Sequence, residues 1–405
     1  MVEEARVKIP RRLVLSALGV LSCISIGACT GGETSDTPAI AGGPPFGHPD
    51  SVLFWTPEQQ LAGFPNYDQI FDTRALAPSA DPFPLPSRPT DFSELQYEVD
   101  GTSYSLEDFL THNRVAGLLV LDGGEIVLEE YRMGHEPDVP WVSYSVTKSV
   151  VSLLIGAAIR DGHIQGVDDR VAEYLPELQG TGYEGVSIAH LLQMASGVEW
   201  DEDYTDPGAD VSREIGMTNS ERLSYIGSKP RVDEPGARFN YNTGETHLAG
   251  AVLRAAIDGD LADYLAATVW QPFGMEHDAN WRLVESDGAE HGGCCISATL
   301  RDFGRIGMFA LREGVLRNGE QVLPVDWMTE STSPSTGNPG YGNLWWLGEG
   351  SSYSARGIFG QGIFVDPSDE TVIATQGAWP EPTGREFSAH RDAFFAAMKR
   401  FLEKP

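Results

Sequence analysis

The stretch Ser145-Val146-Thr147-Lys148 begins the most apolar helical pattern of the chain after its N-terminal leader. The pattern runs over residues 142–160 and predicts a helix there. One helical turn places the amine of Lys148 on the same face as the hydroxyl of Ser145, close enough to accept its proton. The unpaired amides of a helix start can hold a developing oxyanion, and its positive end disfavours a charged lysine. The stretch therefore predicts a serine nucleophile with a lysine as its base.

The Ser-x-x-Lys pattern is short, and a surface serine that caps a helix beside a solvated lysine would also match it. The setting favours catalysis, because lysine is nearly absent from the rest of the chain and Lys148 lies in an apolar stretch. A lysine buried there without a role would cost free energy.

Two later segments can complete such a site. Tyr241 lies in a polar loop ahead of another apolar helical pattern, where it can transfer a proton beside the serine. Residues 355–362 are rich in glycine and are predicted to form a strand, in which glycines often mark a close approach of ligand or backbone. The alternatives are a tyrosine that only makes structural hydrogen bonds and a bulged edge strand.

The order of these segments resembles the serine β-lactamase and penicillin-binding-protein superfamily. More specifically, the chain resembles its class C-like branch, which includes esterases and 6-aminohexanoate-dimer hydrolases. The resemblance extends from Tyr97 to the C-terminus and rests on five segments, which are residues 144–150, 188–197, 239–244, 298–305 and 357–367.

The resemblance implies an α+β, β-lactamase/transpeptidase-like fold, in which an antiparallel sheet is flanked by helices and a mostly helical domain is inserted. It implies that Ser145 is the nucleophile, Lys148 its base partner and Tyr241 the proton shuttle. The backbone amides of Ser145 and Ile358 would form the oxyanion hole. No cofactor and no metal are implied. The residues it suggests for substrate binding are Tyr204, Asn242, Gly357 and Gly360.

Two departures from the superfamily pattern concern the substrate. The family has Asn two residues after the tyrosine, whereas this chain has Thr243 there and Asn242 one position earlier. No Lys-Thr-Gly stands on the late strand, where Arg356 is the cation available to grip a substrate carboxylate. Efficient β-lactamase or cell-wall peptidase activity is therefore not expected, whereas ester or amide hydrolysis is. Four tryptophans are candidates for an acyl pocket or, alternatively, for the core: Trp200, Trp281, Trp345 and Trp346.

Composition narrows the classes of function. The 405 residues are 41% hydrophobic, enough for one large or two medium domains. The 28 Lys and Arg against 59 Asp and Glu give a net charge of −31, which would repel a nucleic acid. No histidine cluster at metal-ligand spacing is evident. Cys294 and Cys295 are expected to be buried thiols, because adjacent Cα atoms about 3.8 Å apart are too close for an unstrained disulfide.

The N-terminus is predicted to be an export signal. Residues 1–28 combine a basic start with an apolar run and small residues before a cut site. The segment before Cys29 resembles a bacterial lipobox, which implies lipidation of that thiol and a periplasmic or cell-envelope lipoprotein held at the membrane through this lipid alone. An ordinary signal peptide with a chance cysteine is the alternative.

The remainder divides into a Pro/Gly-rich tether and packing arm over residues 29–92, a discontinuous sheet domain over residues 93–166 and 288–405, and a helical domain over residues 167–287. An Asp-Gly-Gly turn predicts a hairpin. The expected elements are strands at 115–121, 125–131, 344–347, 358–365 and 371–375, and a last helix at 388–402.

The sequence thus predicts an exported serine hydrolase that cleaves a carboxylic ester or amide through an acyl-enzyme on Ser145. The alternatives are a β-lactamase or D-alanyl peptidase and, in another class, a non-catalytic envelope lipoprotein that binds a partner.

Overall fold

A computed structural model describes residues 46–286 and 288–403. Their centre is a six-stranded antiparallel sheet with the strand order β5-β4-β12-β11-β10-β9. Its strands are β4 (Val115–Asp122), β5 (Glu125–Tyr131), β9 (Trp346–Leu347), β10 (Tyr353–Arg356), β11 (Gly362–Asp366) and β12 (Thr371–Gly377). A smaller antiparallel sheet has the order β1-β7-β8-β6, and β2 pairs with β3. These strands are β1 (Thr73–Leu76), β2 (Gln96–Val99), β3 (Thr102–Ser105), β6 (Trp141–Val142), β7 (Ala279–Arg282) and β8 (Ile296–Ala298).

Thirteen α-helices surround the sheets in the described residues. The longest are α3 (Val146–Asp161), α8 (Thr243–Ile257), α11 (Leu300–Leu311) and α13 (Arg385–Leu402). The shorter ones are α1 (Pro57–Gly63), α2 (Leu106–His112), α4 (Val171–Tyr174), α5 (Ile188–Leu192), α6 (Asp210–Arg213), α7 (Asn219–Gly227), α9 (Leu261–Leu265), α10 (Gln271–Phe273) and α12 (Trp327–Ser331). None of the helices in this part of the chain is both long and apolar enough to span a bilayer.

Strand β4 shows why the large sheet needs a helical layer on each face. Alternate side chains of a strand point to opposite faces. Leu118 and Val120 pack into a core shared with α2 and α13, whereas Leu119 and Leu121 pack into the larger core of α3, α8 and α11. Both faces are therefore buried, and the arrangement is α+β, as predicted.

The predicted hairpin is confirmed, with its turn at Gly123 and Gly124. Both residues have positive φ, at 58° and 82°, which glycine adopts without the penalty of a side chain. The last helix is also confirmed, although it begins at Arg385 rather than at residue 388.

The glycine-rich segment differs from its prediction. Residues 358–360 form a 3-10 turn between β10 and β11, so the strand expected at 358–365 begins only at Gly362. Phe359 and Gly360 have φ of 61° and 93°, which is incompatible with an extended strand. The strand expected at 344–347 is likewise confined to its last two residues, because Leu344 has φ of 63°.

Residues 46–71 form the described start of the predicted packing arm. A 3-10 helix (Pro49–Phe54), α1 and a second 3-10 helix (Phe64–Gln69) pack as one apolar cluster against the turn before α3. Phe64 is central to it, with ring centroids 5.4 Å from those of both Tyr144 and Phe359. The predicted signal at residues 1–28 and the lipidation site Cys29 lie outside the described residues.

The prediction of free thiols at Cys294 and Cys295 is wrong in this structure, which joins the two sulfur atoms in a disulfide. The peptide bond between them is cis, and their Cα atoms are 3.4 Å apart.

Candidate active site

The site is built on the turn that leads from β6 into α3. Ser145 is the residue that precedes the helix, and Tyr144 before it has φ of 45°, a left-handed conformation that is uncommon for tyrosine. The hydroxyls of Ser143 and Thr147 are hydrogen-bonded to each other at 2.7 Å. Each also accepts a hydrogen bond from the backbone amide of Ile296 in β8, at 3.0 Å. The small sheet thereby holds the turn that presents Ser145.

Lys148 lies one turn into α3 and is only 1% exposed. Its Nζ donates hydrogen bonds to the carbonyl oxygen of Gly293 at 2.7 Å and to Oγ1 of Thr243 at 3.0 Å. Burial lowers the pKa of Lys148 to about 8, against the opposing pull of the carboxylates of Glu202 and Glu214. The amine is therefore partly neutral near neutral pH, as a base for serine requires, and burial is the main cause.

Tyr241 lies two residues before α8 and completes the group predicted from sequence. Its ring centroid is 5.5 Å from Nζ of Lys148, which places the phenol beside the base. Burial raises the pKa of Tyr241 well above its usual value, the charge of Glu202 adds to this rise, and the neighbouring Ser145 side chain opposes it only in part. The phenol therefore keeps its proton at neutral pH and is suited to donate it, whereas Lys148 is suited to accept one.

A carboxylate that the sequence analysis missed lies behind the lysine. Glu202 accepts hydrogen bonds from the amide of Thr243 at 2.9 Å, from the hydroxyl of Thr243, from the hydroxyl of Tyr204 at 2.6 Å, and from Nε1 of Trp200. The hydroxyl of Thr243 accepts from Lys148 and donates to Glu202, so it links base and carboxylate. The segment that holds Glu202 was selected from the sequence for Tyr204 alone. The acidic residue two positions before that tyrosine could have indicated a carboxylate at the site.

The oxyanion hole is supported by two unpaired amides. Among the described residues, neither the backbone amide of Ser145 nor that of Ile358 donates a hydrogen bond, and both residues line one cleft. Unpaired amides in residues this buried are rare. A Cβ on Gly357 would lie 2.5 Å from the carbonyl oxygen of Ser143 and 3.2 Å from the nitrogen of Ser145. Glycine at 357 thus lets this turn approach the serine.

The other proposed substrate contacts divide between the cleft and the core. Tyr204 lines the cleft and donates its hydroxyl hydrogen to Glu202. Asn242 and Gly360 do not meet the expectation. Asn242 is fully buried, and its side chain caps α8 by accepting the amide of Glu245 at 3.0 Å. Gly360 is buried beneath the turn, where a Cβ would lie 2.4 Å from the indole of Trp379.

Arg356 is not among the described residues that line the cleft. Its Nε donates to the hydroxyl of Ser354 on its own strand at 2.8 Å, and its guanidinium lies 3.6 Å from Asp392 and 5.7 Å from the ring of Trp346. Trp346 in turn stacks on Tyr241, with centroids 5.7 Å apart. The other three candidate tryptophans are core residues: Trp200, Trp281 and Trp345.

One histidine cluster exists that the sequence spacing does not reveal. His112, Glu386 and His390 place their potential ligand atoms within 4.8 Å of one another where α2 meets α13. Glu386 lies 3.4 Å from His112, and the hydroxyl of Tyr97 is 2.9 Å from Nδ1 of His390. These contacts indicate that the cluster has a structural role, in which it joins the two helices.

The family model of the beta-lactamases matches residues 106–397. The chain belongs to this family. A 6-aminohexanoate-dimer hydrolase of Paenarthrobacter ureafaciens is 28% identical over 323 residues, which are 74% of this chain and 81% of that protein.

Solved structures show the same β-lactamase/transpeptidase-like fold. A Bacillus anthracis protein provisionally named a 6-aminohexanoate-dimer hydrolase has a TM-score of 0.75 at 20% identity, over 86% of this chain and 95% of that one. A family VIII carboxylesterase has a TM-score of 0.57 at 18% identity, over 73% of this chain and 94% of its own. With such relatives, this family member is an enzyme, a serine hydrolase.

Proposed function

We propose that the protein hydrolyses a carboxylic ester or amide through an acyl-enzyme on Ser145. The observation that carries the proposal is the pair of unpaired amides, of Ser145 and Ile358, at the cleft that the serine lines, one helical turn before Lys148. Such donors stabilise the oxyanion of acyl transfer. The relatives named for an amide dimer and for carboxylic esters support the same reaction class.

In acylation, Lys148 accepts the proton of Ser145 while the serine oxygen attacks the carbonyl carbon. The negative charge moves to the carbonyl oxygen and rests on the two amides. Tyr241 donates a proton to the leaving oxygen or nitrogen as its bond to the carbonyl carbon breaks, and recovers one from Lys148. In deacylation, water replaces the leaving group, attacks the acyl-enzyme and releases the acid and the free serine.

A β-lactamase or D-alanyl peptidase is the second candidate, and the position of Arg356 disfavours it. These substrates carry a carboxylate, and the guanidinium of Arg356 pairs with Asp392 instead of lining the cleft. Arg282 does line it, but the ring of Phe71 lies 4.1 Å from its guanidinium. The non-catalytic alternative is set aside, because the relatives support an enzyme.

The test compares the wild type with Ser145→Ala on a p-nitrophenyl ester, the 6-aminohexanoate dimer, a cephalosporin and a D-alanyl peptide. Ser152→Ala is the matched control, since this buried serine of α3 has no hydrogen-bond partner for its hydroxyl within the described residues. We expect Ser145→Ala to lose ester or amide turnover and labelling by a fluorophosphonate, and Ser152→Ala to keep both. Unchanged turnover in Ser145→Ala would refute the assignment.

We also propose, from the sequence of residues 1–29 alone, that the enzyme is exported and anchored through a lipid on Cys29. Mass spectrometry of the mature N-terminus in a bacterial host tests this, and Cys29→Ala should release the protein from the membrane fraction. An unlipidated N-terminus would contradict the anchor and would indicate an ordinary secreted protein.

A further inference from the structure

Part of the wall in front of the nucleophile comes from outside the matched family region. Val52 and Leu53, in the 3-10 helix Pro49–Phe54, line the cleft together with Ser145 and Ile358. The family match begins only at residue 106. The N-terminal arm therefore adds its own surface to the site.

This wall is held firmly. Val52 and Leu53 are 3% and 7% exposed, and both belong to the apolar cluster around Phe64. Trp55, which follows closely, stacks on Phe64 with centroids 6.1 Å apart and donates its Nε1 hydrogen to the carbonyl oxygen of His48 at 2.9 Å. A side chain packed in this way limits what can enter the cleft.

The arm also covers a cation of the cleft. The guanidinium of Arg282 lies 4.1 Å from the centroid of the Phe71 ring, and Tyr67 lines the cleft as well. Val211 and Ile215, from outside the arm, supply further apolar surface. The cleft is narrow, with a volume of about 50 Å³, and most of its exposed lining is apolar. The charged groups of the lining are engaged by the protein itself, Glu214 by Arg222 at 3.0 Å and Arg282 by the ring of Phe71, so a small uncharged, apolar group suits the cleft.

The position of Tyr241 indicates which part of the substrate enters. Tyr241 donates to the leaving group in the proposed reaction, and it is not among the described residues that line this cleft. The leaving group therefore lies on the side of Tyr241, and the cleft receives the acyl part. This step rests on the proposed function.

We propose that Val52 and Leu53 of the arm are specificity residues, which set the length and width of the apolar acyl chain that the enzyme accepts. Leu53 lines the same cleft as the serine, so the size of its side chain limits the space that an acyl chain can occupy. A smaller side chain there lengthens the site, and a larger one shortens it.

The test measures kcat/KM for p-nitrophenyl esters from acetate to decanoate with the wild type, Leu53→Ala and Leu53→Phe. Phe54→Ala is the control, since this neighbour is 45% exposed and does not line the cleft. We expect Leu53→Ala to raise the preference for long over short chains by about tenfold, as pockets that differ by a methylene or more typically do. Leu53→Phe should shift the preference towards short chains, and Phe54→Ala should leave it unchanged.

Thermal unfolding of each variant separates specificity from misfolding. If Leu53→Ala does not fold, the shift in Leu53→Phe decides the question. An unchanged chain-length profile in a folded variant would overturn the proposal and leave ester hydrolysis intact. Failure of the wild type to hydrolyse any ester or amide would instead refute the proposed function.

Discussion

The amine of Lys148 lies 3.0 Å from Oγ1 of Thr243, and the same hydroxyl donates a hydrogen bond to Glu202. The threonine stands where the superfamily pattern has asparagine, and it connects the base to a carboxylate. The charge of Glu202 raises the pKa of Lys148, against the larger effect of burial. The tendency of the lysine to accept a proton therefore depends in part on the charge of a residue to which Thr243 also links it by hydrogen bonds.

Glu202→Gln removes that charge while it keeps the shape of the side chain. The pKa of Lys148 should fall, because the charged amine loses a stabilising partner. The acidic limb of the pH profile of kcat/KM should therefore move to lower pH, and kcat should decrease as Thr243 loses a charged acceptor. Asp203→Asn, a change at the exposed neighbour, should leave the limb in place. A limb that does not move in Glu202→Gln would contradict this electrostatic role.

Lys148→Met should abolish turnover and change how stability depends on pH. The pKa of Lys148 is about 8 in the folded chain, against 10.5 for an ordinary lysine. The unfolded chain thus binds more protons between these values, which costs the wild type roughly 3 kcal/mol below pH 8. This penalty disappears as the pH rises towards 10.5.

Methionine does not titrate, so the Tm of Lys148→Met relative to the wild type should decline between about pH 7 and pH 10. Thermal unfolding at several pH values measures the difference. A constant difference would mean that Lys148 keeps an ordinary pKa in the folded enzyme.

Gly357→Ala should block the oxyanion hole. The added methyl group would lie 2.5 Å from the carbonyl oxygen of Ser143 and 3.2 Å from the amide nitrogen of Ser145, so the turn must move away from the serine. Loss of one oxyanion donor typically lowers kcat by about 100-fold or more. Gly166→Ala is the control, because open space surrounds that glycine. Equal kcat in both variants would argue against an oxyanion hole at this turn.

Two adjacent tryptophans should respond differently to truncation. Trp346 stacks on Tyr241, whereas Trp345 is fully buried in the core. Trp346→Ala should lower kcat with a modest loss of stability, because the ring that orients the proton donor is gone. Trp345→Ala should cost about 3–5 kcal/mol of unfolding free energy. The comparison measures kcat and the unfolding free energy in denaturant for both variants. A larger loss of stability in Trp346→Ala than in Trp345→Ala would mean that Trp346 serves the core instead.

Sequence reasoning found what depends on local pattern and chemistry. Helix α3, with its serine and lysine, follows from apolar periodicity, and the β4–β5 hairpin follows from its Asp-Gly turn. Tyr241 was found by its loop setting and by the family resemblance, and the structure brings it to Ser145 and Lys148.

The features that were missed depend on tertiary packing. The turn at Phe359 needs a positive φ from a residue that normally avoids it, and a composition rich in glycine was read as a strand instead. The contact between Glu202 and Thr243 joins segments far apart in the chain, which no local spacing reveals. Asn242 was expected to bind substrate because it lies one position from the asparagine of the family's tyrosine motif, although the start of α8 uses it as a cap.

Phe64 has a consequence for the order of folding. Its ring contacts Trp141, Tyr144 and Phe359, so an early segment of the chain is packed between the turn that bears the nucleophile and one near the C-terminus. During synthesis the arm emerges long before Phe359, and its aromatic side chains remain without their final partners until then. A nascent chain should therefore acquire hydrolytic competence only after the segment around Phe359 has emerged and packed against the arm.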